Sequence, residues 1–241
     1  MILNMSMNNK VEIERSGDGS DTLYVPALDE HYHSVNGAVT ESEWVYLHQG
    51  FQYLAGGQGR SLPEEELPPL RVLEIGFGTG LNSLVTLMEA HRCRIPVSYY
   101  GIEKYPLPPE VYSCLNYPEI TGAQGKEWYH SIHTASWEEP VRISPFFELT
   151  KLRRDFITAG LDPVPPCHVV YYDAFAPGKQ PEMWEDPLFR KLYDRVLPGG
   201  VMVTYCATGR VRRGLMAAGF KVERLPGPPG KREMLRGIRS I

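Results

Sequence analysis

The stretch Arg71-Val-Leu-Glu-Ile-Gly-Phe-Gly-Thr-Gly-Leu-Asn82 decides how the chain is read. Val72, Leu73 and Ile75 make a short apolar run that predicts a buried parallel strand. It leads straight into Gly76, Gly78 and Gly80, glycines at alternate positions. Leu81, Leu84, Val85 and Met88 then recur at helical spacing, so a helix is expected to begin where the glycines end. A strand, a glycine turn and a helix N-terminus together form a binding site. Glycine lets backbone approach a ligand closely, and the helix end offers unpaired N–H groups.

Spacing separates the alternatives. A dinucleotide fingerprint requires G-x-G-x-x-G, and position 81 is Leu rather than Gly. Glu74-x-Gly-x-Gly-x-Gly instead resembles motif I of the class I S-adenosyl-L-methionine (SAM) methyltransferases. Many loops carry glycine for conformational reasons only, so the surrounding chain has to decide.

Downstream, Val97-Ser-Tyr-Tyr-Gly-Ile102 reads as a second strand ending at Glu103. A carboxylate at that tip can accept hydrogen bonds from both hydroxyls of a ribose, a contact that SAM and NAD both need. Residues 146–155 predict a third strand ending in Asp155, placed to meet the amine of an adenine, with Phe156 to pack on the ring. A helix N-cap role for Asp155 fits the local sequence equally well. Cys167-His-Val-Val-Tyr-Tyr-Asp173 is a strongly apolar strand that delivers Asp173 to the crevice shared by Gly76 and Glu103, because ligands of open α/β sheets bind outside the carboxyl ends of the strands. A helix over 189–196, a turn at Leu197-Pro-Gly-Gly200, a strand over 201–205 and a short helix from Gly209 follow. Two closing strands, from Gly219 and from Glu233, are joined by Pro226-Gly-Pro-Pro-Gly230.

Upstream, Tyr24 and Val25 suit a short strand and Asn36-Gly37 a turn. His31 and His33 beside Asp29 and Glu30 raise the question of a metal, but no third ligand stands at a recognisable spacing, so none is expected. Polar groups that contact or support a ligand are the preferred reading. Thr40 with Glu43 reads as a capping box, opening a helix with Trp44, Leu47, His48 and Phe51 on one face. Gly56, Gly57 and Gly59 should stop it, and Pro63, Glu64 to Glu66, Pro68 and Pro69 form a solvated linker. A helical stretch after Pro106 should run to Leu115, with a less regular insert to about Pro145 that carries Trp128 and Trp137 as core residues.

The 241 residues, 42% hydrophobic and 22% charged, fit one sizeable α/β domain. A formal net charge of −4 gives no global nucleic-acid signature, so such a partner must be met by a local patch. Arg210, Arg212, Arg213, Lys221, Arg224, Lys231, Arg232, Arg236 and Arg239 face only Glu223 and Glu233 as local acids, a bias able to neutralise phosphates. A scattered, solvated surface would give the same composition. Cys93, Cys114, Cys167 and Cys206 show no C-x-x-C pairing, consistent with reduced thiols, and no apolar leader or long apolar run is seen. A cytoplasmic protein with no membrane partner is expected.

With these residues in hand, the chain resembles the methyltransferase domain of the MnmC family, which completes 5-methylaminomethyl-2-thiouridine at the tRNA wobble position. The resemblance is carried by Asp29-Glu-His-Tyr-His-Ser-Val-Asn-Gly37, Glu74-Ile-Gly-Phe-Gly-Thr-Gly-Leu-Asn82, Glu103-Lys-Tyr-Pro-Leu107 and Asp173-Ala-Phe-Ala-Pro-Gly-Lys-Gln-Pro-Glu-Met-Trp184. Val211-Arg-Arg-Gly-Leu215 and Lys231-Arg-Glu-Met-Leu235 complete it, in family order. It implies a class I, Rossmann-like α/β fold with a seven-stranded, mostly parallel sheet flanked by helices. Residues 1–66 would be an N-terminal extension covering the cofactor site and 67–241 the methyltransferase domain.

The resemblance further implies that SAM is held by Tyr32, Glu74, Gly76, Phe77, Gly78, Thr79, Gly80, Asn82, Glu103, Lys104, Asp155, Phe156 and Asp173. Asp173 and Phe175 would stand beside the transferred methyl as the catalytic pair, and Arg210, Arg212, Arg213, Lys231 and Arg232 would meet tRNA. The larger MnmC proteins also carry an FAD-dependent oxidoreductase domain, for which nothing here could serve. The activity expected is therefore the final N-methylation of 5-aminomethyl-2-thiouridine, downstream of a separate oxidoreductase. Residues 122–143 match the family poorly. The competing enzyme is an aminopropyltransferase of the spermidine-synthase type, which shares the fold and an Asp-Ala-Phe segment but not Lys-Arg-Glu-Met. A methyltransferase of small amines is the other alternative.

Overall fold

The computed structural model describes residues 11–57 and 68–241. The expected boundary between residues 66 and 67, the first ten residues, Gly59, Pro63 and Glu64 to Glu66 lie outside them.

The chain begins with a small antiparallel sheet of β1 (Glu12–Arg15), β2 (Asp21–Val25) and β3 (Glu30–His31). A continuous helical segment follows: α1 (Ala38–Glu41), a wide-turned π-helical stretch (Ser42–Gln52) and α2 (Tyr53–Gly57). Beyond it come β4 (Leu70–Ile75), α3 (Leu81–Cys93), β5 (Val97–Glu103), α4 (Pro109–Tyr112), α5 (Tyr117–Ile120), α6 (Gly122–Thr134), β6 (Pro140–Ser144) and β7 (Phe147–Arg153). The second half holds β8 (Cys167–Tyr172), a 3₁₀ turn (Pro181–Trp184), α7 (Asp186–Arg195), β9 (Val196–Thr204), α8 (Gly209–Ala218), β10 (Lys221–Pro226) and β11 (Glu233–Ile238).

The main sheet has the order β10-β11-β9-β8-β4-β5-β7-β6. β7, β5, β4, β8 and β9 are parallel, and β11 inserts antiparallel between β9 and β10. These are the expected seven strands. An eighth, β6, adds antiparallel to the β7 edge. It comes from the stretch expected to be irregular, which also supplies α6. Trp128 of α6 is buried, whereas Trp137 stays partly exposed beneath the Lys151 ammonium.

Alternating side chains divide two cores, as the period of a strand requires. Val72, Tyr99, Leu149, Val169, Tyr171 and Val203 point to one face, against the π-helical stretch, α3 and α6. Leu73, Ile102, Leu152, Val170, Tyr172 and Met202 point to the other, against α7 and α8. The N-terminal helical segment thus shares a core with the sheet: a Cβ on Gly50 would lie 2.9 Å from the Tyr171 ring and 3.1 Å from Val203.

Two local expectations are corrected. The helix opens at Ala38 behind Gly37, not at Thr40, because its first N–H groups are satisfied from outside. Asp18 Oδ2 accepts from Thr40 N at 2.8 Å, and Ser20 Oγ accepts from Val39 N at 3.1 Å. Its buried face is Val45, Tyr46, Leu47, Gly50 and Phe51, while His48 is exposed, because the wide turns of a π-helix advance the pattern beyond the 3.6-residue period. The residues read as a turn, Leu197 to Gly200, belong to β9, where the pairing with β8 shifts register.

Candidate functional site

The three glycines adopt φ values of +88° at Gly76, +48° at Gly78 and +72° at Gly80, in the left-handed region that favours glycine. At Gly76 the need is absolute: a Cβ there would lie 2.4 Å from the backbone oxygen of Asp173. The turn therefore presses against the end of β8 and brings Asp173 beside it. Phe77 folds under the turn, and Gly101 on β5 makes room for it, since a Cβ at Gly101 would lie 2.4 Å from the ring.

Above the carboxyl ends of β4, β5, β7 and β8 lies a cavity of about 840 Å³. That volume sits at the upper end of the roughly 300–1,000 Å³ typical of ligand pockets. Gly76, Phe77, Gly78, Thr79, Glu103, Lys104, Asp155, Phe156, Asp173, Phe175 and Tyr32 line it, as expected from the sequence. Tyr32 closes over the turn, with its ring 3.0 Å from where a Gly78 Cβ would be, and meets Phe175 edge-on at 5.2 Å.

Glu103 accepts from Gly78 N at 3.0 Å and Tyr105 N at 2.8 Å, and burial pushes its carboxyl above the usual range. This arrangement discriminates between ligands. A pyrophosphate would need the Gly78 N–H and would meet a carboxylate already holding it. A ribose, by contrast, brings donors to an acceptor. Asp155 stands two residues past β7, paired with Lys104 at 2.9 Å, and also caps the following turn through Ile157 N at 2.9 Å. The cap is that of a turn, since no helix starts at Asp155 as its N-cap reading would require.

Glu74, Gly80 and Asn82, expected to touch the cofactor, stand behind the wall instead. Glu74 is fully buried, and burial raises its carboxyl well above the ordinary value. It accepts from Tyr99 Oη and Asn82 Nδ2, both at 2.8 Å. The same Asn82 nitrogen donates to Asp173 Oδ2 at 2.8 Å, while Tyr46 Oη donates to Asp173 Oδ1 at 2.6 Å. Asp173 is thus held rigidly at the cavity wall, and burial pushes its carboxyl up to about 7. Tyr46 was not singled out in the sequence, where its aromatic ring on a helix gives no sign of an Asp partner 127 positions away.

His31 and His33 both line the cavity, and each is held by another side chain. His31 Nε2 meets Glu14 Oε2 at 3.0 Å, and His33, buried, meets Thr79 Oγ1 of the glycine turn at 2.7 Å. The basic C-terminal residues divide. Arg213 and Arg232 are exposed, whereas Arg210 pairs with Glu185 at 2.7 Å and Arg212 is partly buried. Lys231 is turned into the cavity, 2.5 Å from Glu41 and 3.8 Å above the Tyr205 ring centre. Arg236 is buried against Glu223 at 2.8 Å, and Arg239 donates to the carbonyl oxygens of Tyr193 and Val196. The even basic surface expected from composition is therefore broken up by pairing. Among the described residues, no helix is long and apolar enough to cross a membrane.

A glycine cradle, a ribose-type acceptor and a carboxylate two residues from an aromatic fit SAM, and known proteins are similar. Residues 155–240 match a family described as S-adenosyl-L-methionine-dependent methyltransferase. The tRNA 5-methylaminomethyl-2-thiouridine biosynthesis bifunctional protein MnmC of Cupriavidus metallidurans is 33% identical over 91% of this chain and 32% of its own length. The protein of the same name from Pseudomonas fluorescens is 34% identical over 87% of this chain and 32% of its own. The chain thus spans about a third of the curated relatives it matches. The crystal structure of MNMC2 from Aquifex aeolicus superposes with a TM-score of 0.73 at 25% identity, covering 96% of this chain and 71% of that one. The chain belongs to the S-adenosyl-L-methionine-dependent methyltransferases, and over 87% to 91% of its length is similar to the methyltransferase part of these MnmC proteins.

Proposed function

We propose that the chain N-methylates a primary amine on a tRNA wobble uridine, converting 5-aminomethyl-2-thiouridine to 5-methylaminomethyl-2-thiouridine. The observation that carries the reading is Asp173, a carboxylate fixed by Tyr46 and Asn82 beside the glycine turn, in a chain alike to MnmC over most of its length. The cofactor residues are proposed as Tyr32, Gly76 to Thr79, Glu103, Lys104, Asp155 and Phe156, with Tyr32 of the N-terminal extension acting as a cover over that end. Bound SAM would supply an electrophilic methyl group on a sulfonium.

The chain's own part is to deliver a neutral amine. With a pKa of about 10.4 by analogy with lysine, only about one such amine in a thousand is neutral near pH 7, which costs about 4–5 kcal/mol. Desolvation in the cavity disfavours the ammonium. Asp173, raised towards neutrality by burial, is matched to accept a proton near pH 7. Its two fixed hydrogen bonds also hold it where it can align the nitrogen for in-line attack. The exposed Arg213 and Arg232 would meet phosphates, and the upstream step that makes the aminomethyl group would come from an FAD-dependent oxidoreductase, all in the cytoplasm.

The test uses tRNA from cells unable to complete the modification, incubated with protein and SAM, digested and read by mass spectrometry. Conversion of the aminomethyl nucleoside to a product one CH₂ heavier is expected. No conversion, with SAM binding verified in parallel, would refute the tRNA substrate and leave the methyltransferase.

A further inference from the structure

Lys231 is the one residue of the basic C-terminal set that lines the cavity. It enters from the β10–β11 loop and lines the cavity with Asp173, its ammonium held by Glu41 at 2.5 Å and stacked 3.8 Å over Tyr205. Glu41 is buried, and its second oxygen accepts from Ser34 N at 2.8 Å, so the clamp is rigid. Tyr205 Oη in turn donates to the carbonyl of Ala174, the residue next to Asp173. Three elements distant in sequence thereby place one positive and one negative charge in the wall of the cavity that Asp173 also lines.

We infer that Lys231, clamped by Glu41 and Tyr205, is a positioning residue that sets the ionisation of Asp173 and so the protonation of the amine presented to it. The second half of this inference rests on the amine-acceptor reading above; the first half does not. The groups around Asp173 are Glu41 of α1, Tyr46 of the π-helical stretch, Glu74 of β4, Asn82 of α3, Tyr99 of β5, Tyr205 after β9 and Lys231. Of these, Lys231 alone brings a positive charge. Burial and the Glu41 carboxylate favour protonated Asp173, and the Lys231 ammonium opposes them. The same ammonium, held in the cavity wall, disfavours a cationic acceptor relative to a neutral one. A lysine serving only to tie the loop to α1 would do neither.

The discriminating experiment follows the Asp173 carboxyl carbon by ¹³C NMR in aspartate-labelled protein, with the signal assigned by its loss in Asp173→Asn. Lys231→Met should raise the Asp173 midpoint, as expected for loss of an opposite charge in the same cavity. Glu41→Gln should lower it by a similar amount, the double variant should return it close to the wild-type value, and Lys231→Arg should hold it. Midpoints unmoved in both single variants would overturn the inference. Should Lys231→Met not fold, Lys231→Gln gives the same reading. The acid limb of tRNA methylation should move with the midpoint. Midpoints that move in a protein unable to methylate tRNA would support the charge assignment and refute the tRNA substrate alone.

Discussion

Replacing Asp173 by Asn should stabilise the protein as pH rises, even as it removes activity. Burial lifts the Asp173 carboxyl from the model-peptide value of 3.8 to about 7. Between those values the folded state binds more protons than the unfolded one, so wild-type stability falls with rising pH and levels off above about 7. Each unit of displacement corresponds to about 1.36 kcal/mol, so roughly three units set a ceiling of about 4 kcal/mol. The side chain is half-buried and faces the cavity, where water screens it, so about 2 kcal/mol is the expected yield. Asn preserves the shape: its oxygen can accept from Asn82 or Tyr46, and the Tyr46 hydroxyl can accept from its amide. Urea denaturation of both proteins from pH 5 to 8.5 measures the effect. The difference in favour of Asn should grow up to about pH 7 and then stay constant. A difference independent of pH, or one that shrinks as pH rises, would refute the reasoning, since the latter is the signature of a carboxylate stabilised by folding. The stability surrendered by the wild type is the usual consequence of holding a reactive group where it is needed.

Gly76→Ala should lose about 1–3 kcal/mol of stability, because it combines a φ of +88° with a Cβ 2.4 Å from the Asp173 oxygen, and calorimetry should detect no SAM binding. Glu103→Ala should weaken SAM binding roughly 10- to 100-fold, the worth of hydrogen bonds to a charged acceptor, and unchanged affinity would remove it from the ribose site. Arg213→Glu and Arg232→Glu should each weaken tRNA binding and flatten its salt dependence by about one unit of slope, measured by filter binding across a salt series. Arg236→Met should instead leave that slope alone and cost about 2–3 kcal/mol in denaturation, because it strands Glu223 without its buried partner.

Much of this protein was legible in local sequence. The alternation of apolar residues along a strand and the helical spacing after Gly80 arise from short-range geometry, so β4, β5, β8, α3 and the closing pair β10 and β11 could be read directly. Glycine at 76, 78 and 80 announces its own φ, and a carboxylate following a buried strand must emerge at the crevice, so Glu103 and Asp173 were found the same way. Side chains whose role depends on a distant partner were not legible. Charge counting placed Lys231 and Arg236 on one surface, whereas Glu41 draws the first into the cavity and Glu223 buries the second. Thr40 looked like a cap because the serines and aspartate that actually satisfy the helix lie about twenty residues earlier. Glu74 and Asn82 sit within the cofactor motif, yet face inward to hold Asp173. Local periodicity specifies which backbone forms and which face it buries. Only the packing of elements far apart in sequence decides which charges meet, and therefore which carboxylate can hold a proton near neutrality.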